Sequence, residues 1–454
     1  MMLRLPGGPG EAKVLRRRRF LFLRVFPLVF AFTLSACATL GEHYAPVDEK
    51  LAAGDFSAAS AELEEYSDLY GEKNILLYRL DAGMLAHYAG QYETSRRLLA
   101  DAEKDIGRLS AVSLSLTAAS YLANDTVTEY CGEDYEDIYL NVFNALNYYH
   151  LGLEEDAMVE IRRIDEKLRL LAARHGTEIT AAQQALLERG TDVPYDSEAA
   201  AVHFSNSALA RYLSMLFYRA RGRLDEARID RDQIRLAFAN QPAVYGFPVP
   251  DSVDEELRVP AGKARLNIVG FTGRGPVKVA EDLRIPVGGG HWIRISLPVL
   301  QEQSGAVGSV RIVFDSGEQM RLEKIEDLSA VAAETFRQSA ALTYLKTVLR
   351  ATAKGSASMI FDQLAQTGES SLLFSVLSLG TQLYAEFSEQ ADLRLSHFLP
   401  AEAWVGGITL DPGVYSFTVI YESASGKRAL WRDRFENVRV YADRLNLTET
   451  VCLR

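Results

Sequence analysis

Four stretches of the sequence share one pattern, in which a small residue follows a glycine after five positions: Gly54-Asp-Phe-Ser-Ala-Ala59, Gly90-Gln-Tyr-Glu-Thr-Ser95, Gly152-Leu-Glu-Glu-Asp-Ala157 and Gly222-Arg-Leu-Asp-Glu-Ala227. Each stretch follows one apolar run and leads into another. Glycine permits the sharp reversal that joins two antiparallel helices, and a small residue lets the second helix pack closely on the first. Each stretch therefore predicts a hairpin of two helices.

The helical pattern extends over residues 46–240, where apolar and small residues recur every three or four positions. The glycines at positions 54, 90, 152 and 222 are 36, 62 and 70 residues apart. A tetratricopeptide repeat has about 34 residues, so these spacings are close to one, two and two repeats. The region resembles a tetratricopeptide array, whose concave groove binds a peptide or protein. A plain helical bundle is the alternative.

The residue pattern of the second half of the chain is typical of a β domain. Proline and glycine become frequent after Phe238, and strand-like runs begin. Residues 258–326 and 399–454 are predicted to form one antiparallel β-sandwich-like domain with a helical insertion at residues 327–398, so the predicted fold class is α+β. A second, separate sheet is the alternative. The predicted strands are 264–271, 277–285, 292–297, 310–314, 319–324, 413–422, 428–435 and 438–441.

The insertion contains two predicted helices, at residues 327–354 and 359–390, and an apolar stretch at residues 371–383 within the second. A hairpin that contacts a membrane is one interpretation of this stretch. It is shorter than the roughly 20 residues that a membrane span needs, and it is rich in serine, which favours a buried core helix.

The first residues resemble a bacterial lipoprotein signal. Four arginines at residues 16–19 precede an apolar run at residues 20–34, and the run ends in Leu34, Ser35, Ala36 and Cys37. This order resembles a lipobox, which predicts a signal peptide at residues 1–36, lipid on Cys37 and a tether at residues 37–45. An ordinary signal peptide or anchor with a chance cysteine is the alternative.

Lipoproteins of this kind carry more than one acyl chain, which makes a stable membrane anchor without a spanning helix. We therefore expect a lipid-anchored, extracytoplasmic protein. By resemblance to other lipoproteins, Ala38 after the lipidated cysteine favours the outer membrane of a diderm host, with the body facing the periplasm.

Charge and composition limit the partners. The formal net charge is −12, and no basic block follows Arg24, so nucleic acid is not an expected partner. The seven histidines show no metal-binding spacing, and no catalytic motif stands out, so we expect no metal, no cofactor and no catalytic residues. The sequence leaves open whether Cys131 and Cys452 form a disulfide.

One stretch carries a family resemblance. Tyr130-Cys-Gly-Glu-Asp-Tyr-Glu136 and the residues up to Arg163, with later stretches at 343–353, 391–394, 399–401 and 410–415, resemble a family of uncharacterised bacterial lipoproteins with tetratricopeptide-like helices. The family's tryptophan shortly after Asp392-Leu-Arg394 is absent, because Leu395-Ser-His397 fills its place. Members are often encoded beside lipoproteins that activate penicillin-binding proteins. The resemblance therefore implies an envelope role and partners in cell-wall synthesis, but no reaction.

The candidate partner-binding residues come from the same stretch. Paired carboxylates can serve as acids, calcium ligands or partner contacts, but carboxylates ahead of a helix more often cap it and compensate its dipole. The two arginines can hold a carboxylate or lie on a solvated helix face. The candidates are Glu133, Asp134, Tyr135, Asn141, Asn147, Arg162 and Arg163.

Three functions follow from these observations. The leading hypothesis is an envelope scaffold or adaptor that binds envelope proteins or peptides through its helical repeats. The second is an enzyme acting on envelope polymers, with Glu133 and Asp134 as candidate acids. The third is a structural component of a secretion or surface apparatus.

Overall fold

The computed structural model describes residues 40–115, 128–188, 203–286, 292–303, 305–353, 391–426 and 428–454. The lipobox, Leu34 to Cys37, and the predicted helix at residues 359–390 lie outside these ranges. The described helices are α1 (Leu40–Ala53), α2 (Phe56–Glu65), α3 (Ser67–Tyr70), α4 (Ile75–Tyr88), α5 (Tyr92–Ser115), α6 (Asp134–His150), α7 (Glu154–Leu187), α8 (Ala208–Ala220), α9 (Leu224–Asn240), α10 (Ser252–Glu255) and α11 (Leu328–Ala353), with a 3₁₀ turn at Glu72–Asn74.

The four glycines mark four helix hairpins, α1–α2, α4–α5, α6–α7 and α8–α9, as predicted. Each glycine lies in the left-handed region of φ, with values from 70° at Gly222 to 78° at Gly54. A side chain would strain the backbone there, so glycine is required for the reversal.

We expect the turn at Gly54 to tolerate alanine less well than the turn at Gly90. A Cβ at Gly54 would lie 2.4 Å from the Trp431 ring, whereas nothing lies within 4 Å of one at Gly90. Gly90→Ala should lower the free energy of unfolding by about 1 kcal/mol through backbone strain alone, and Gly54→Ala by about 2–4 kcal/mol. Urea unfolding of the two variants measures the difference, and equal losses would mean that the first hairpin does not pack on Trp431.

Helix α1 replaces most of the predicted tether. The tether was expected at residues 37–45, but the helix already begins at Leu40. Tyr44 and Val47 are buried in the core, and this burial stabilises the helix close to its start. The predicted tether therefore does not extend to residue 45.

The helices form two layers on one side of a sheet. The inner helices α4, α6 and α8 are almost fully buried, while the outer helices α5, α7 and α9 keep one face in solvent. On the inner side, the Phe143 ring of α6 packs 4.9 Å from the Phe271 ring of the strand Ala264–Thr272. On the outer side, Asn141 donates to Glu160 of α7 at 2.6 Å. The inner helices are therefore covered on both sides.

The strands are β1 (Ala264–Thr272), β2 (Val277–Pro286), β3 (Trp292–Gln301), β4 (Val307–Phe314), β5 (Gln319–Asp327), β6 (Glu402–Leu410), β7 (Gly413–Ser423), β8 (Ala429–Val440) and β9 (Asn446–Cys452). Seven of them form one sheet in the order β8-β7-β4-β5-β6-β1-β9, and β2 and β3 form a separate two-stranded ribbon. The pair β1–β9 is parallel, and the other neighbours are antiparallel. Strands from both sides of α11 thus share one sheet.

This large sheet is nearly closed, instead of forming the two facing sheets of the predicted sandwich. Its two edge strands approach each other, because Thr450 of β9 donates to Asp433 of β8 at 3.1 Å. Tyr421 of β7 also bonds the Thr450 hydroxyl, at 2.6 Å. Curvature lets one sheet bury its inner apolar face, with Phe417 and Val310 fully buried, without a second sheet. The coarse prediction of an α+β fold is confirmed.

The predicted insertion is helical only in part among the described residues. Helix α11 covers its beginning, whereas residues 391–400 form a segment without helix or strand. Among the helices that the structure describes, none is both long enough and apolar enough to cross a membrane.

Candidate functional site

The segment at residues 391–400 lies against the inner helices, where Asp81 of α4 binds it. One carboxylate oxygen of Asp81 accepts from the Ser396 hydroxyl at 2.9 Å and from the His397 backbone N–H at 2.8 Å. The other accepts from the hydroxyls of Tyr44 at 2.8 Å and Tyr70 at 3.0 Å. Asp81 is fully buried, so these four donors replace water around its carboxylate.

A second buried carboxylate, Glu136, binds the same segment. It accepts from the Ser396 backbone N–H at 2.6 Å and from the Tyr130 hydroxyl at 2.7 Å. It also accepts from the Glu133 backbone N–H at 2.7 Å, which is one half of a capping box at the start of α6. We call Asp81, Glu136, Ser396 and His397 the carboxylate clamp.

Aromatic side chains fix the segment on either side of the clamp. The Tyr44 ring stacks on the His397 ring at 4.2 Å, and the Tyr88 hydroxyl donates to the Phe398 carbonyl at 2.9 Å. At the other end, Arg394 donates to Asn74 at 3.0 Å. The segment is thus held along its length by side chains of α1, α4 and the turn before α4.

Burial sets the ionisation of the clamp. It raises the pKa of Asp81, and the hydrogen bonds from His397, Tyr44 and Ser396 lower it only in part. Burial likewise raises the pKa of Glu136 to about 7, against its hydrogen-bond donors and with help from the nearby Glu133 carboxylate. Two of the donors are the backbone N–H groups of Ser396 and His397, so the geometry is suited to holding this stretch of backbone.

Glu326 joins the helices to the sheet in a similar way. This fully buried residue near the end of β5 accepts from Ser207 and Tyr245 at 2.8 Å each and from the Leu209 backbone N–H at 2.9 Å. It also accepts from the Tyr139 hydroxyl of α6. Burial raises the pKa of Glu326, although these donors oppose the shift.

Glu449, His87, His150 and Asn147 form a junction between the glycine turns of the helices and β9. The Glu449 carboxylate lies between two histidine rings. It is 3.0 Å from His87 Nε2 and also bonds His150 Nε2. The other His87 ring nitrogen, Nδ1, lies 2.8 Å from the Asn147 side-chain oxygen, which accepts from it. Both ring nitrogens of His87 face acceptors, which fits its protonated form. Burial alone would raise the pKa of Glu449, but the two histidines outweigh it and hold this pKa at about 2.

The junction predicts a pH-dependent contribution to stability. Because the pKa of Glu449 is lowered, this residue contributes stability that is present above pH 4.5 and is lost as the pH falls towards 2. Burial lowers the pKa of His87, but Glu449 raises it above 6.5, so its contribution is present below 6.5 and is lost as pH rises through the raised value. The free energy of unfolding of the wild type should therefore exceed that of Glu449→Gln most between pH 4.5 and 6.5, by on the order of 3 kcal/mol.

Urea unfolding of both forms across the pH range measures this difference. His203→Ala, a histidine outside the junction, serves as the control and should show no such maximum. A difference that stays constant from acidic to alkaline pH would contradict the proposed junction.

The acidic residues of the sequence motif are engaged within the chain. Glu133 pairs with the buried Lys278 and accepts from Ser339 at 3.3 Å. Burial lowers the pKa of Lys278, but the carboxylates of Glu133 and Asp392 raise it above its usual value. Asp134 is the first residue of α6 and is 8% exposed. This placement agrees with capping and dipole compensation and leaves little surface for a partner.

Three further candidates are also buried. Tyr135 is 1% exposed, and its hydroxyl has no hydrogen-bond partner among the described residues. Asn141 binds Glu103 and Glu160, and Asn147 binds Ser95 in addition to His87. These side chains join helices to each other, so they are not presented to a partner.

The two arginines remain on the surface of α7. Arg163 is exposed and donates to Glu103 at 2.9 Å and to Glu160 at 3.0 Å. Arg162 is exposed on the same helix. Of the sequence candidates, these two are the ones that a partner could reach in the described part of the chain.

No family model, curated protein or solved structure matches this chain. The described residues contain no group of three histidine, cysteine or acidic side chains placed to hold a metal ion. Cys131 is exposed and Cys452 is buried, and no disulfide joins these two described residues.

The sequence motifs did not indicate Asp81, His87, Ser396, His397 or Glu449. A signal for Asp81 and His87 was available, because both lie among the apolar residues of α4, Ile-Leu-Leu-Tyr-Arg-Leu-Asp-Ala-Gly-Met-Leu-Ala-His-Tyr. A buried carboxylate in such a run needs hydrogen-bond donors from elsewhere in the chain.

Proposed function

We propose that this chain is a bacterial envelope lipoprotein, anchored through lipid on Cys37, that serves as a scaffold for an envelope protein or peptide. The carboxylate clamp is the observation that carries this proposal. It shows buried carboxylates used to hold the chain's own backbone, which is a structural task. The lipobox and the resemblance to lipoproteins with tetratricopeptide-like helices support the anchor and a role near cell-wall synthesis.

The clamp and the sheet also define which surface is available to a partner. In a tetratricopeptide array, ligands bind on the concave side of the helices. Here the inner helices are covered by the sheet and by residues 391–400, so a partner would bind the outer helices. On α7, Val159, Arg162 and Leu170 lie on one face, and the two apolar side chains are 39% and 58% exposed.

This face combines apolar contact area with a guanidinium. We infer that the partner is an envelope protein segment that offers an apolar side chain beside a carboxylate. Arginine binds carboxylates in a bidentate manner, and apolar residues around the pair exclude water from it.

Photocrosslinking in intact cells tests the proposal. A photoreactive phenylalanine analogue is placed at Val159, Arg162 or Leu170, and Val414 on β7, which is 53% exposed, provides the matched control position. We expect one defined envelope protein to be crosslinked from the three α7 positions and not from Val414. The same products from all four positions, or none from α7, would contradict a scaffold that uses this face.

A further inference from the structure

The outer face of α7 carries one straight stripe of exposed side chains. Four residues follow one another at intervals of four, three and four positions, which places them in a line along the helix: Val159, Arg163, Glu166 and Leu170. The stripe therefore has an apolar side chain at each end and two opposite charges in its middle.

This stripe is complementary to a reversed copy of itself. Val159 and Leu170 are equally far from the midpoint between residues 164 and 165, and so are Arg163 and Glu166. Consider a two-fold axis beside the outer face of α7, at the level of that midpoint and perpendicular to the helix. It would place Val159 against Leu170 of a second copy and Arg163 against Glu166 of that copy. Because a two-fold axis repeats each contact, both pairs would form twice.

The arginines can reach such a second copy without leaving their partners inside the chain. Arg163 donates to Glu103 and Glu160 through Nη1, and a guanidinium has further N–H donors on its other nitrogens. Arg162 is exposed on the same helix, one residue before Arg163, so it lies only about 1.5 Å farther along the axis. Glu166 of the second copy would therefore meet two arginines.

The neighbouring outer helix α9 gives an independent check on the position of the axis. Arg211 of α8 binds Asp165 of α7 at 2.8 Å and Asp230 of α9 at 3.3 Å, so these two aspartates lie at nearly the same level. Arg221, at the turn before α9, pairs with Glu155 at the start of α7, so the two helices also begin at the same end. An axis beside Asp165 therefore passes close to the level of Asp230.

The exposed charges of α9 are arranged symmetrically about that level. Asp225 and Arg235 lie five residues before and after residue 230. Arg228 and Asp232 lie two residues before and after it. These four side chains are 53% to 90% exposed, and exposed ion pairs within a chain are weak enough to be exchanged for others. The axis that matches α7 would thus oppose unlike charges on α9 as well.

We propose that the partner of the outer helices is a second copy of this chain, and that α7 pairs antiparallel with α7 of that copy about a two-fold axis beside Asp165. This inference rests on the proposed use of the α7 face, and it identifies the required apolar side chain beside a carboxylate as Leu170 beside Glu166. The apolar ends exclude water from the charge pairs between them. The charges select the direction, because a parallel pair would oppose Glu166 to Glu166.

Cysteine crosslinking of the full chain in intact cells tests this register. Cys131→Ser removes the exposed thiol, and cysteines then replace Val159 and Leu170 together or singly. We expect the double variant to form a disulfide-linked dimer on oxidation, since position 159 of one copy faces position 170 of the other. Equivalent positions in the two copies are roughly 16 Å apart along the helix, so neither single variant should form a dimer. Val414→Cys with Leu170→Cys is the control with the same number of thiols.

Charge variants of the double-cysteine chain test the middle of the stripe. Glu166→Arg should lower the crosslinked fraction at least about fivefold, because it opposes like charges in both symmetric contacts. Adding Arg162→Glu should restore part of the crosslinking, since an acidic residue then meets the new arginine. Single-cysteine variants that crosslink as well as the double variant, a double variant that stays monomeric, or no effect of Glu166→Arg would each overturn the pairing.

The photoreactive analogue at Leu170 separates this inference from the proposed function. An adduct with twice the mass of the chain supports pairing between copies. An adduct with a different envelope protein would overturn the pairing between copies and leave the scaffold proposal standing. Absence of any adduct from the α7 positions would overturn both.

Discussion

Replacing Asp81 with alanine is expected to lower the free energy of unfolding by about 3–5 kcal/mol, the largest effect among the single substitutions considered. Four donors bind this carboxylate: the hydroxyls of Tyr44, Tyr70 and Ser396, and the His397 backbone N–H. Alanine would leave the Tyr44 and Ser396 hydroxyls and the His397 backbone N–H buried without this acceptor. Thermal or urea unfolding measures the loss.

Two controls separate the clamp from a general effect of removing aspartate. Asp101→Ala removes a carboxylate that is 38% exposed and pairs with Lys104, so a change within about 0.5 kcal/mol is expected. Asp81→Asn keeps one acceptor oxygen and should lose less stability than alanine. If Asp81→Ala and Asp101→Ala proved equally stable, the clamp would not hold the segment.

The second large effect concerns the anchor. In cells fed a tagged fatty acid, the wild-type chain should carry the label and begin at Cys37, whereas Cys37→Ala should lose the label completely and keep its first 36 residues. The physical reason is that the thiol of Cys37 is the group to which lipid would be attached, and cleavage of such signals follows lipid transfer. Gel fluorescence and intact mass measure the two effects.

Cys131→Ser is the control for the anchor experiment, because it removes an exposed thiol that lies outside the lipobox. It should be labelled and shortened like the wild type. A wild-type chain that remains unlabelled and keeps all 454 residues would contradict the proposed anchor.

The local parts of the fold could be predicted from the sequence because their cause is local. A glycine with positive φ between two apolar runs ends one helix and starts the next, whatever the rest of the chain does. Strand-like runs bounded by glycine and proline likewise predicted seven of the nine described strands, with 438–441 falling at the end of β8.

Strands β6 and β9 were missed for a physical reason. Strand β6 contains Gly406 and Gly407, and glycine is usually read as a strand breaker. In the sheet, a Cβ at Gly406 would lie 2.7 Å from Met320 and 2.8 Å from Leu322, so the glycine gives room to neighbouring side chains. Strand β9 has three polar residues in a row, Thr448 to Thr450, and its parallel pairing with β1 depends on a partner about 180 positions away.

The candidate site could not be predicted from the sequence for a similar reason. Asp81 binds Ser396 and His397 across more than 300 residues of sequence, and Glu449 binds His87 across 362. Spacing within a motif cannot show such pairs. The sequence did identify the start of α6, but Glu133, Asp134 and Tyr135 stabilise contacts inside the chain there, while the buried carboxylate that binds the segment is Glu136.

Hydrogen exchange at the backbone amides of Ser396 and His397 tests most directly whether the helical layers hold residues 391–400. Both amides donate to buried carboxylates, so we predict protection comparable to that of the β1 amides in the wild type and its loss in Asp81→Ala. Exchange of these two amides at the rate of an unstructured peptide, while α4 and β1 stay protected, would contradict the account.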